Sequence, residues 1–251
     1  MPDGDGAGTP WWSLRRIRRV SVSLAVLAGL VALSWMPTGY FAVRPGPVRS
    51  LKGVVVIAGL PEPGTSLRMV AVVAEEANLY ALLKAAVDPR ESIWTKRDVY
   101  GDRTPGEYAE DSRALMERSQ KTAIYLAFKE SGFILDPEDP APSRVSVKSC
   151  EVLGSSAGLA FALEMACTLQ GVDLAAGRRV AATGTLDAGG RVTAVGGIAQ
   201  KTIACRENGI ELFLVPAADV MEAARNAGSM KVVGVRTLAE ALAYLRGHDI
   251  P

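Results

Sequence analysis

Ser155 and Ser156 stand in the run Gly154-Ser-Ser-Ala-Gly158, at the head of an apolar stretch with helical spacing. Serines so placed suit three kinds of chemistry. A hydroxyl can cap the first turn of a helix. Glycines and the unpaired N–H groups of a helix N-terminus can cradle a phosphate. One serine can also be a nucleophile, beside backbone donors and the positive end of a helix dipole that stabilise an oxyanion. A nucleophile needs a base. The only histidine is His248, three residues from the C-terminus, where chains are seldom well ordered. Lysine is the next base available, because burial lowers its pKa until the neutral amine can accept a serine proton. Lys201 fits that need. It opens a helix after a tight Val-Gly-Gly turn, and no charge falls between Arg191 and Lys201 or between Lys201 and Arg206. Taken singly, a helix cap and a surface lysine are the plainer readings of these residues.

Other chemistries are poorly supplied. One histidine excludes histidine-rich metal sites. Cys150, Cys167 and Cys205 lie far apart without a C-x-x-C pair, so neither a structural zinc site nor a full disulfide framework is expected, and the three read as core residues. The sequence calls for no metal and no cofactor. A formal net charge of +1 gives no electrostatic case for nucleic acid.

The elements that must position these residues follow a distinctive front. Residues 1–19 read as a disordered basic N-terminus ending in the cluster Arg15, Arg16, Arg18 and Arg19. Val20 to Met36 carries no charge, and Trp35 and Tyr40 mark its far end. This reads as a transmembrane helix or signal anchor over 20–36, at the short end of the spanning range, with its N-terminus in the cytoplasm. A cleaved signal peptide is the rival reading. Pro37 ends the helix.

The body, residues 46–248, mixes strands and helices without an internal repeat. Strands are expected at "VVVIAGL", "LRMVAVVAE", "RVSVKSCEV", "IELFLVP" and "MKVVGV", with two more around the Asp-Ala-Gly-Gly turn of "RRVAATGTLDAGGRVTAVGG". Helices are expected at "ANLYALLKAAVDP", at "GEYAEDSRALMERSQKTAIYLAFKESG", from about Ser156 to Gln170, at "IAQKTIACRENG", at "AADVMEAARNAG", and at "LAEALAYLRG" capped by Thr237. The polar stretch around 90–104 reads as an irregular excursion. The fold class is therefore α+β (mixed α/β), in a single domain after the N-terminal helix.

In order, these segments resemble the proteolytic domain of Lon-type serine proteases. "GSSAG" is similar to the family's G-P-S-A-G, and "TGTLDAGGRVTAVGGIAQK" to its T-G-E-x-x-x-x-G-x-V-x-x-V-G-G-x-x-x-K. "RALMERSQKTAIYLAF", "GIELFLVP" and "VVGVRTLAEAL" resemble the helix before the nucleophile strand and the closing segments. The resemblance implies a nucleophile at Ser156, a general base at Lys201, and an active-site threonine at Thr183. It also implies a protein or peptide substrate and self-association, in a hexameric ring. Three departures stand out: Ser155 for proline, Leu153 where many members have aspartate, and Thr185 for glutamate. No G-x-x-x-x-G-K-[ST] occurs, and no segment leaves room for a PDZ insert, so the expectation is an ATP-independent, membrane-anchored Lon-like protease of bacteria. Its catalytic domain would lie outside the cytoplasm, acting on unfolded or flexible chains. Two alternatives stay open: a non-catalytic Lon-like scaffold, and a small-molecule kinase related to galactokinase, whose phosphate loop "LGSSAGLA" also resembles.

Overall fold

The computed structural model describes residues 11–61, 64–133, 145–147 and 155–247. The chain opens with α1 (Trp11–Ser34), so residues 11–19 belong to a helix rather than to a disordered tail. Within α1, Arg16–Ser34 is long and apolar enough to cross a membrane, and none of it is buried against the rest of the chain. A signal sequence fits the same description.

The remaining elements are β1 (Pro37–Ser50), β2 (Val55–Ile57), β3 (Leu67–Asn78), α2 (Leu79–Val87), β4 (Ser92–Thr95), α3 (Lys96–Tyr100), α4 (Pro105–Glu130), β5 (Val145–Val147), α5 (Gly158–Gln170), β6 (Val180–Ala182), β7 (Thr185–Leu186), β8 (Val192–Thr193), α6 (Ile198–Glu207), β9 (Leu212–Pro216), α7 (Val220–Asn226), β10 (Lys231–Val235) and α8 (Leu238–Leu245). Six strands form one sheet in the order β10-β9-β6-β3-β1-β4. Only β1 runs against its neighbours: it is antiparallel to β3 and β4, while β3, β6, β9 and β10 are mutually parallel. Helices cover both faces. Side chains alternate along the parallel strands, so that Val180, Ala182, Leu212 and Leu214 join the core under α4, α5 and α8. Ala181, Phe213 and Val215 join a second core under α6 and α7. The mixed α/β architecture expected from the sequence is the one observed.

Three local readings are corrected. First, β1 starts at Pro37 and carries the sheet ahead of residue 46. It passes through Pro45 and Pro47 because its pairing with β3 shifts between Pro45 and Val48, and because β4 covers its other side only from Tyr40 to Val43. Missing N–H groups are tolerated at such an open, bulged edge. Second, the stretch around 90–104 is ordered as β4 and α3, the latter opened by a capping box between Thr95 and Asp98. Third, the strand before the Asp-Ala-Gly-Gly turn is broken at Thr183–Gly184: β6 joins the main sheet and β7 pairs with β8 in a hairpin. That break is where the site is built.

Candidate active site

β6 delivers Thr183 to the centre of the molecule. Its N–H donates to Leu214 O at 3.0 Å, continuing the β6–β9 ladder by one residue, and its side chain is fully buried. The next residue, Gly184, donates its N–H to Ser156 O at 2.8 Å and accepts from Leu159 N–H at 3.0 Å. The serine turn, a 3₁₀ turn over Ser155–Ala157, is thereby stitched to the strand end from both sides. Thr183 Oγ1 donates to Ser156 O at 3.1 Å and accepts from Lys201 Nζ at 3.3 Å. One hydroxyl, using its single proton and a lone pair, joins the lysine to the backbone of the serine.

Lys201 reaches that point because α6 starts where it does. Gly197, the residue before the helix, has φ +67°, and a Cβ there would lie 2.8 Å from Val72 Cγ1. Glycine alone meets both conditions without strain. The preceding turn is fixed by Asp219 Oδ2, which accepts from Val195 N–H at 2.9 Å. It is also covered by Trp94: a Cβ on Gly196 would lie 3.3 Å from that indole. Lys201 is only 3% exposed. Burial pulls its ammonium down from the ordinary 10.5 to about 8, a fall partly opposed by the charge of Asp219. A lysine in that range carries a substantial neutral fraction near neutrality and can act as a base.

Residues 148–245 match the family described as the Lon protease (S16) C-terminal proteolytic domain. Over these residues the chain is similar to a Lon-type proteolytic domain. The matched span takes in Ser156, Thr183 and Lys201, and the domain is that of a serine peptidase in general. The elements before it, from β1 to α4, complete the sheet and lend the candidate site Val72, Trp94 and Ser119.

Two of the three departures from the family pattern meet in this domain. Ser155 Oγ lies 3.0 Å from Thr185 Oγ1, a hydroxyl pair in the places of proline and glutamate. Ser119 Oγ, reaching from α4, donates to Ser155 O at 3.1 Å. Gly158 is a glycine for the same reason, since a Cβ there would stand 2.6 Å from Ser119 Oγ. The capping reading of the serines does not hold. The residue that caps α5 is Ala157, without any side-chain bond. Leu153, Gly154, Cys150 and His248 lie outside the described residues. Cys167 and Cys205 are buried free thiols, as core residues should be.

The structure adds Asp219, Ser119 and Trp94 to the residues read from the sequence. Asp219 sits in "PAADV" and Ser119 among the polar residues of an amphipathic helix, so neither carries a signal of its own. Trp94 lay in the stretch read as irregular.

Proposed function

We propose that this chain is an ATP-independent serine endopeptidase using a Ser156–Lys201 dyad. Ser156 Oγ attacks the peptide carbonyl while Lys201 Nζ takes its proton. Lys201 then returns that proton to the leaving amine as the carbon–nitrogen bond breaks, and water repeats the cycle on the acyl-enzyme. Thr183 is a positioning residue that orients the amine. The oxyanion donors are assigned to N–H groups of the serine turn, because the N–H of Leu159, one step into the helix, is already engaged by Gly184. The observation that carries this reading is the Lys201–Thr183–Ser156 connection around a buried amine.

With α1 read as an uncleaved anchor, Arg15, Arg16, Arg18 and Arg19 stay in the cytoplasm and the domain lies outside, where ATP is scarce. Substrates are then chains already unfolded or flexible. Self-association into a ring rests on the resemblance alone. The purified protein should cleave unfolded casein without ATP, and Ser156→Ala should abolish cleavage. Equal rates for the two proteins would sink the dyad. Protease added to intact spheroplasts should digest residues 46–248, and full protection until lysis would reverse the orientation. Light scattering of the protein in detergent should show a species larger than a monomer, and a strict monomer at micromolar concentration would remove the ring.

A further inference from the structure

The exposed face of α2 is unusual for a charged, water-facing surface. Tyr80, Leu83 and Val87, at i, i+3 and i+7, point outward, and Val87 is 81% exposed. Such spacing puts three apolar side chains on one stripe. Lys84 is the only charge on the helix, and it is held by Glu91 at 2.6 Å.

The position of α2 says what meets this stripe. Only Trp35 and Met36 separate the end of α1 from β1, so the domain has no flexible tether. Pro37, where β1 begins, pairs with Asn78. Asn78 is the N-cap of α2, its side chain accepting from Ala81 N–H at 2.8 Å. The helix therefore starts at the level where the chain leaves α1, and α1 and α2 touch. Trp35, Met36 and Tyr40, all exposed, extend the apolar surface along this end. Aromatic residues of this kind favour the headgroup zone. The acidic side chains nearby are paired: Asp88 with Arg90, Glu75 with Arg44, and Glu76 with Lys96. Asp98, by contrast, has its carboxylate held by Thr95, the strand partner of Tyr40, and not by a cation.

The geometry points to α2 as an interfacial helix that lays Tyr80, Leu83 and Val87 into the outer headgroup layer of the bilayer that α1 spans. This rests on the reading of α1 as an anchor. A helix of this length covers about 14 Å and buries its apolar face roughly 5–10 Å deep. With α1 it would give the domain two attachments and fix its tilt. β3 then sets the height of the site, because the six residue steps from Val72, beside Gly197, to Asn78 span at most roughly 20 Å. Peptide segments emerging from the membrane surface would be the substrates within reach.

The test uses the full chain, with Cys150→Ser to remove a competing thiol, reconstituted in phosphatidylcholine–phosphatidylglycerol vesicles. An environment-sensitive fluorophore is attached through Leu83→Cys, through Leu27→Cys in α1, or through Met221→Cys on α7, which is 69% exposed. Lipids brominated near the headgroup should remove most of the Leu83-site emission and leave the Met221 site unchanged. If the Leu27 site is quenched while the Leu83 site behaves like Met221, the anchor stands and the docking is overturned. If neither Leu27 nor Leu83 is quenched, the anchor fails and the docking with it. Self-quenching of the Leu83 site that grows with protein per vesicle, without bromolipid quenching, would give the face to a second copy and also overturn the proposal.

Discussion

The sheet is built in two ways on the two sides of β3. Toward β6 and β9 every strand residue is buried, strands are parallel, and helices close both faces. Toward β1 and β4 the strands are antiparallel and largely open to solvent. A lysine on each side shows what that difference does. Lys201, behind the buried strands, has a threonine hydroxyl for a partner and a lowered pKa. Lys84, on the open side, is half exposed and salt-bridged to Glu91. Burial without a full counter-charge makes a base, whereas exposure with one makes a surface ion pair, typically worth about 0–1 kcal/mol.

The sharpest way to break this contrast is to replace each lysine by methionine. Lys201→Met should lower turnover on unfolded casein by roughly 10²–10⁴-fold, the usual contribution of a general base. Lys84→Met should leave it unchanged. The stability effect runs the other way. Lys201 has a depressed pKa in the fold, so between about 8 and the ordinary 10.5 the unfolded chain holds more protons, and stability rises with pH through that window. Below about 8 the full cost of burying the ammonium applies. Denaturant titration near pH 7 should therefore find Lys201→Met more stable than the natural chain by up to about 3 kcal/mol. The advantage should fade as pH approaches 10.5. A pH-independent difference would contradict the assignment.

Glycines sharpen the comparison at the next scale. Gly197, by the site, and Gly39, in β1, both have positive φ, but only Gly197 meets a neighbour within 4 Å of an added Cβ. Gly39→Ala should cost roughly 1–2 kcal/mol of unfolding free energy from backbone strain alone. Gly197→Ala should cost more and also reduce turnover, since the clash with Val72 shifts the start of α6. Equal losses with full activity in both would show that the turn does not set Lys201.

A smaller effect concerns the hydroxyl pair. Ser155→Ala and Thr185→Val should each cost about 0.5–1.5 kcal/mol, and the double variant should cost less than their sum, as contacting residues do. Strict additivity in a double-mutant cycle would mean the two side chains do not cooperate.

The smallest effect should come from Asp219→Asn. It keeps an acceptor for Val195 N–H but removes the charge that raises the Lys201 pKa. The acid limb of the pH–rate profile should move to lower pH, and a move to higher pH would exclude Asp219 as the opposing charge.

The parallel side of the sheet was the more legible in the sequence. "IELFLVP" announces β9 because buried parallel strands read as unbroken apolar runs, and the valine-rich "MKVVGV" announces the half-buried edge strand β10. Ser156 and Lys201 stand beside glycine turns in the sequence, but it is the family resemblance that singles them out, and Thr183 comes from that resemblance alone. The open side was less legible. β1 holds three prolines and alternates weakly, and only its pairing with β3 makes it a strand. Asp219 and Ser119 act through backbone groups brought near by the fold, and no local pattern announces such a partnership. The Ser155–Thr185 contact could not be read either, because it joins two positions that look like separate departures until the hairpin brings them together.

The central claim is that a neutral Lys201 activates Ser156. It is tested most directly by the rate at which a fluorophosphonate labels the purified chain as a function of pH. The account predicts labelling at Ser156 that rises with a single ionisation near about 8 and is lost in Lys201→Met. Labelling whose rate ignores both pH and Lys201 would contradict it.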